Sequence, residues 1–475
     1  MTLRPSAAAA EVASDLVTAL IDALNGTDAQ RVAFVRERMT PGPAPEARAE
    51  RMKGLVEQGA PFRLVRVLEA RGPNEIRAIV ADGHGMNLGF LLQIADGKLG
   101  GVRVGPPDDI DAPAPKDYSG WTDLAMLVHS IRVDTGVPAL GVAYARGNVR
   151  ERAADGIRTV GKPGAIATSD PWKTGSIGKP LCATAAACLI DAGKLRFAST
   201  IGDVLHDVPM QDGYRRVTLE QLLRHRGGVP EDSGMDRATA ERIAGGATDR
   251  ATLRRNYVAD ILGRAPAGPP DTRFRYSNAG YALAAAMVER AGGAPYEALL
   301  HRLIFAPLQM RASFTGADAL PDARPSGHVK GPNGIEPADM RGLLDAYFAG
   351  AGGGIWMSLD DLVTFGLAHL AGLQGRPGLL RPATVARLHA GVLEEPGGDR
   401  RYACGWGIER RPGIAGEVHG HNGSDGTMRA ELAIFPGAGV VAAAFVNVGG
   451  ENSPGPPLQA VNAVGRRFAA TPRRS

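Results

Sequence analysis

The stretch WKTGSIGKPLCATAAACLIDAG, residues 172–193, sets Ser176 and Lys179 three residues apart where a glycine-rich entry runs into a strongly helical segment. That spacing puts both side chains on one face of the first helical turn. A helix N-terminus favours negative charge near Ser176, and an adjacent ammonium favours it further, so a hydroxyl that is inert in water gains a route to deprotonation. The bland alternative is a serine N-cap followed by a solvated lysine. Against it stands the rest of the segment: Leu181 to Ile190 is almost wholly apolar, so Lys179 opens a helix that expects burial. A buried ammonium is costly unless it has a partner or a task.

Two further stretches carry polar residues at entrances to apolar elements. In FRYSNAGYALAAAMVERAGG, residues 274–293, Tyr276 and Asn278 precede an apolar helix and face the same way if the turn is extended. Alone, they read as a packed tyrosine and an asparagine helix cap. In EVHGHNGSDG, residues 417–426, His421 and Gly423 lie on a strand pattern, the glycine leaving the strand edge open to a ligand backbone. His419 and His421 share one strand face, which raises a metal reading. No third ligand stands at a suitable spacing, so neither a metal nor an organic cofactor is expected.

In this order, the three elements resemble the Ser-x-x-Lys, Tyr-x-Asn and Lys-Thr-Gly triplet of class C β-lactamases and their relatives, the family VIII esterases and D-aminopeptidases. The connecting strings LIDAGKL, VTLEQLLRHRGGVP, LIFAPLQM, AGGGIWMSLDDLVTF and YACGWGI resemble recurrent stretches of the same serine hydrolases, so the likeness runs from about Asp123 to Val448. The resemblance implies Ser176 as nucleophile, with Tyr276 as proton acceptor and donor. Lys179 lies within about 4–6 Å of the phenol oxygen to raise its acidity. It implies an oxyanion hole from the backbone N–H groups of Ser176 and Ser424. Asn278 is expected to hold Lys179 or bind a substrate carbonyl, and His421 to steady Tyr276 or a substrate polar group.

The third motif departs from the β-lactamases, since His421 stands where they carry lysine. A lysine is a permanent cation for a penicillin-type carboxylate, whereas a histidine near neutrality offers a hydrogen bond and partial charge. Ester hydrolysis is therefore the leading expectation. D-aminopeptidase or amidase activity and β-lactamase or penicillin-binding carboxypeptidase activity are the alternatives. A catalytically silent ligand-binding protein of the same fold is the reading from a different class.

At 475 residues the chain exceeds the usual domain length of about 100–200, so at least two units are expected. Residues 1–105 read as two helices, VASDLVTALIDAL and ARAERMKGLVEQG, followed by a run of antiparallel strands. This α+β accessory domain resembles the nuclear-transport-factor-like or cystatin-like folds in architecture. A Pro- and Asp-rich linker follows at 106–120. From 121 to 475 the pattern is a β-lactamase-like α+β domain, an antiparallel sheet flanked by helices with a helical insertion between its halves.

Hydrophobic residues at 44% and charged residues at 22% exclude disordered and fibrous classes. A net charge of +4 with no run of basic residues points away from nucleic acid. The longest apolar stretches, such as Val440 to Val448, fall short of the roughly 18 residues a transmembrane helix needs. The first helix carries Glu11, Asp15 and Asp22, unlike a signal-peptide core, so the chain reads as cytoplasmic as it stands, or periplasmic if a leader has been removed. The expected partner is a small-molecule ester or amide, with homo-oligomerisation through the first domain. Cys182, Cys188 and Cys404 are too few for a disulfide framework and sit in no recognisable nucleophile context.

Overall fold

The computed structural model describes residues 7–42, 44–68, 74–83, 85–105, 116–230, 237–314, 324–331, 334–338, 347, 350, 352–394, 400–449 and 455–470. Most of the expected linker lies outside these residues. Contacts divide the chain into two compact units, Met1–Lys116 and Asp117–Ser475.

In the first unit, helices α1 (Ala7–Asn25), α2 (Asp28–Arg38) and α3 (Pro45–Gly59) precede four antiparallel strands in sequential order. The strands are β1 (Arg63–Leu68), β2 (Glu75–Ala81), β3 (Asn87–Ala95) and β4 (Lys98–Gly105). The sequence reading expected two helices. The one it lacks, DAQRVAFVRER, is polar almost all round and hides only Arg31, Phe34 and Val35, so apolar periodicity gives it no signal. Its start is fixed by a capping box: Thr27 accepts from the Gln30 N–H, and the Gln30 side chain accepts from the Thr27 N–H. Leu16, Val17, Leu20 and Leu24 of α1 pack with Phe62, Ala78, Val80, Phe90 and Leu92 to form this unit's core.

Among the described residues the second unit is built on an eight-stranded antiparallel sheet, whose strands run in the order Val392–Leu393, Arg401–Tyr402, Gly407–Glu409, Val418–Ser424, Arg429–Phe435, Val440–Val446, Ala139–Arg146 and Val149–Gly156. Strands β5 (Ala139–Arg146) and β6 (Val149–Gly156) form a hairpin at one edge, and the chain then leaves the sheet. It makes short strands β7 (Trp172–Lys173), β8 (Ser313–Phe314), β9 (His328–Gly331), β10 (Gly334–Pro337) and β11 (Ile355–Met357), with most of the helices between them. It returns as β12 (Val392–Leu393), β13 (Arg401–Tyr402), β14 (Gly407–Glu409), β15 (Val418–Ser424), β16 (Arg429–Phe435) and β17 (Val440–Val446). Strand β17 closes against β5 with Ala443 opposite Ala143.

Both faces are covered, which explains why β17 reads VVAAAFV with every residue buried. One face takes the helices Leu124–Thr135 and Pro456–Phe468, through Leu127, Val128, Ile131, Val461 and Val464. The other takes the helices Gly178–Asp191, Asn278–Gly292 and Leu359–Leu373. No helix among the described residues is long and apolar enough to cross a membrane.

Candidate active site

Strand β7 delivers the chain into a 3-10 turn, Gly175–Ile177, and an α-helix starts at Gly178, so Ser176 sits just ahead of it. The ten residues from Leu181 to Ile190 anchor that helix in the core, and the anchor drags Lys179 out of water completely: its residue exposure is 0%. Lys179 Nζ donates to Ser176 Oγ at 3.0 Å and to Asn278 Oδ1 at 2.7 Å. It also lies 4.5 Å from the centre of the Tyr276 ring. Three of the expected residues, Ser176, Asn278 and Tyr276, are thus gathered round the Lys179 ammonium.

Asn278 makes this contact as the first residue of its helix, not as the cap. Ser277, in extended conformation (φ −145°, ψ 115°), is the N-cap and accepts from the Gly280 N–H at 2.9 Å. An extended Ser277 turns its neighbours Tyr276 and Asn278 to the opposite side, toward Lys179.

The third motif arrives on β15. Strand β14 pairs with β15 only from Val418 to Gly420, so among the described strands the β14 side of β15 has no neighbour from His421 to Ser424. The turn Gly175–Ile177 packs there. A Cβ on Gly423 would overlap the Thr174 carbonyl and stand 2.9 Å from the Ser176 nitrogen, and a Cβ on Gly175 (φ +50°) would overlap the Ser424 backbone. Two glycines therefore let the Ser176 and Ser424 backbones approach more closely than side chains permit. The turn beyond Ser424 is tied by Asp425, whose Oδ1 accepts from the Thr427 and Met428 N–H groups, while Lys173 of β7 reaches its Oδ2 at 3.3 Å.

His421 is enclosed. Its Nδ1 donates to the Asn422 carbonyl at 2.5 Å and its Nε2 accepts from the Tyr402 hydroxyl at 2.9 Å. Burial, reinforced by the Lys179 ammonium, pushes its pKa down to about 3, so at neutral pH it carries no charge at all. Its ring centre is 6.5 Å from that of Tyr276, and the side chain hydrogen-bonded to its Nε2 is Tyr402.

Two side chains of this cluster were not singled out from sequence, Tyr402 and His225. His225 is 2% exposed, with its ring 4.3 Å from Tyr276 and 4.8 Å from Tyr402. Its Nδ1 accepts from the Ser277 N–H at 3.0 Å. The strings LLRHRGG and YACGWGI carry both residues, but nothing in their local pattern says that they meet.

His419 points into a separate buried file. Thr184 Oγ1 donates to the Pro180 carbonyl and accepts from His369, which is bonded to His389 at 3.0 Å, which in turn meets His419 at 3.0 Å. Among the described residues no group of three or more His, Cys, Asp or Glu is arranged to hold a metal ion. Burial holds the thiols of Cys182, Cys188 and Cys404 up at about 12, far from a nucleophilic thiolate. A cleft of about 410 Å³ lies beside the site, lined by Phe274, Tyr276, Tyr402, His421, Arg400 and Glu409 among others.

Penicillin-binding protein 4 of Amycolatopsis lactamdurans is 28% identical over 346 residues, covering 70% of this chain and 86% of its own. Esterase EstB of Burkholderia gladioli is 28% identical over 320 residues, 60% of this chain and 77% of its own. Among solved structures, the D-amino acid amidase of Ochrobactrum anthropi SV3 superposes with a TM-score of 0.60 at 20% identity, over 73% of this chain and 97% of the amidase. The sequence profile described as Beta-lactamase matches residues 124–464. The chain therefore belongs to the beta-lactamase family of serine hydrolases.

Proposed function

We propose that this hydrolase cleaves carboxylic esters through an acyl-enzyme on Ser176. The observation that carries the reading is the Lys179 ammonium, fully buried and bonded to Ser176 Oγ at 3.0 Å and Asn278 Oδ1 at 2.7 Å beside the Tyr276 ring. In this reading Tyr276 takes the Ser176 proton as Oγ bonds to the substrate carbonyl carbon. It returns that proton to the departing alcohol as the C–O bond breaks. The same pair then handles the proton of the water that releases the acid. Lys179 stays charged throughout and stabilises the phenolate. The Ser176 and Ser424 N–H groups, brought close by Gly175 and Gly423, receive the tetrahedral oxyanion.

An ester is favoured over a penicillin because the residue at the third motif, His421, is neutral and turned to Tyr402, and so supplies no cation for a lactam carboxylate. The relation to EstB points the same way. In the same reading residues 1–105 are an accessory domain that pairs copies of the chain, with the hydrolase domain running from 121.

The test is intact-mass analysis after a fluorophosphonate and, separately, a penicillin, alongside turnover of a short-chain p-nitrophenyl ester. An adduct on Ser176 with the fluorophosphonate alone is expected, and Ser176→Ala should lower ester turnover by about 10⁴-fold or more. Near wild-type turnover by Ser176→Ala would sink the assignment. A stable penicillin adduct would move the substrate from esters to lactams.

A further inference from the structure

We infer that His225 is a positioning residue for the reaction, holding Tyr276 and Asn278 in register through the acceptor nitrogen of a neutral imidazole. The inference rests on the serine-hydrolase mechanism proposed above.

Tyr276 and Asn278 both point at Lys179 only because the residue between them is extended and fixed. Three contacts fix it. The Ser277 N–H donates to His225 Nδ1 at 3.0 Å, and the Ser277 hydroxyl donates to the Pro230 carbonyl at 2.7 Å. Two residues earlier, the Arg275 N–H donates to the His225 carbonyl at 2.8 Å. His225 thus offers its carbonyl and its ring nitrogen to two alternate N–H groups, as a neighbouring β-strand would offer two carbonyls. The ring also lies against the phenol it aligns, 4.3 Å centre to centre and tilted by 36°.

The structure retains His225 at a cost on two counts. Its backbone adopts φ +58°, a conformation that side chains with a Cβ avoid. Its Nε2 is buried without a hydrogen-bond partner among the described residues, inside a ring of Phe274, Tyr276, Tyr281 and Tyr402. Accepting at Nδ1 leaves the proton on Nε2, where the aromatic faces surround it. An imidazole closed off from solvent in this way is badly placed to shuttle protons and well placed to fix geometry. Protonation would convert Nδ1 to a donor facing the Ser277 N–H and release the turn.

Three substitutions separate the two nitrogens. His225→Asn puts an amide oxygen near the Nδ1 position and tolerates positive φ, whereas His225→Gln places its amide near Nε2, and His225→Leu fills space with no acceptor. Since misplacement by about 1 Å costs roughly 100-fold, the Gln and Leu variants should lose about 50-fold or more in kcat for the p-nitrophenyl ester. Their KM should stay within about threefold, and Ser176 labelling by the fluorophosphonate should slow in proportion. The Asn variant should stay within about fivefold of wild type on both readouts. Equal kcat in all variants overturns the inference, and so does an Asn variant as slow as Gln or a loss confined to KM. If the Leu variant does not fold, the Asn and Gln pair decides. A wild-type chain that takes no label on Ser176 refutes the serine mechanism itself, a different failure from a labelled wild type matched by His225→Gln.

Discussion

The helix Asn278–Gly292 serves a buried cation at each end, and the two are treated in opposite ways. Near its C-terminal end Glu289 bonds Arg254 at 2.6 Å, and Glu297 bonds the same guanidinium at 2.8 Å. The Arg254 side chain is 1% exposed, and although burial works against its charge, the two carboxylates more than offset this and raise its pKa. At the N-terminal end the helix offers Lys179 the amide oxygen of Asn278, and the ammonium also meets the Ser176 hydroxyl and the rings of Tyr276 and Tyr281. A carboxylate pair locks a charge in place, while a neutral partner orients the charge and leaves its field available to a reacting group. The Arg254 end reads as structure and the Lys179 end as chemistry.

Removing the two cations should give opposite signatures. Lys179→Met is expected to lower kcat by about 10³-fold or more with an unchanged or raised melting temperature, because a buried charge is replaced by an apolar chain of similar length. Arg254→Met should cost about 3–5 kcal/mol of stability by leaving the half-buried Glu289 without its guanidinium and Glu297 with Arg250 in its place, with near-normal kcat per folded molecule. Urea unfolding and initial rates on the same preparations check both. If the two variants lose activity and stability in the same proportion, the distinction between the two ends collapses.

A smaller change should turn the Lys179 end into the kind found at Arg254. Asn278→Asp hands Lys179 a carboxylate at the position of the present amide oxygen, and should raise the melting temperature by a few degrees while lowering kcat roughly 10- to 100-fold. Calorimetry with ester kinetics decides it, and an unaltered kcat would mean that the neutrality of Asn278 is irrelevant.

The broadest effect is on stability in acid. Burial lowers His369 to about 3 and His419 to about 4, and carries His389 well below its ordinary value. Together with His421, at about 3, these imidazoles fold neutral. A depressed pKa means that below about 6.5 the unfolded chain binds protons the folded chain refuses, so stability is full above that pH and is lost as pH falls toward 4. Each imidazole adds a slope of about 1.4 kcal/mol per pH unit in that window. Melting temperatures measured from pH 7 to pH 4 should fall steadily, with a shallower fall for His389→Phe. A flat profile would show that the file is not held neutral by the fold.

Much of the candidate site could be read locally because its residues announce themselves against their surroundings. Lys179 stands at the head of an apolar helix, Tyr276 and Asn278 stand at the head of another, and His421 and Gly423 lie on a strand pattern. The helix α2 escaped because it buries only three side chains of eleven and is started by a capping box rather than by an apolar stripe. His225 and Tyr402 escaped for a different reason. They lie 177 residues apart in the chain, and their rings come within 4.8 Å only after the sheet has closed.

By itself the sequence determined what depends on residue type and short spacing: the three-residue step from Ser176 to Lys179, the apolar helices that bury them, and the glycines at 175 and 423 that allow two backbones to touch. Tertiary structure alone decided what depends on who meets whom. It made Ser277 rather than Asn278 the helix cap, turned His421 toward Tyr402, and slid His225 beneath the turn that carries Tyr276. The reason is physical. Side-chain periodicity is local, whereas hydrogen-bond partners between segments are chosen only when the core brings those segments together and every buried donor must find an acceptor.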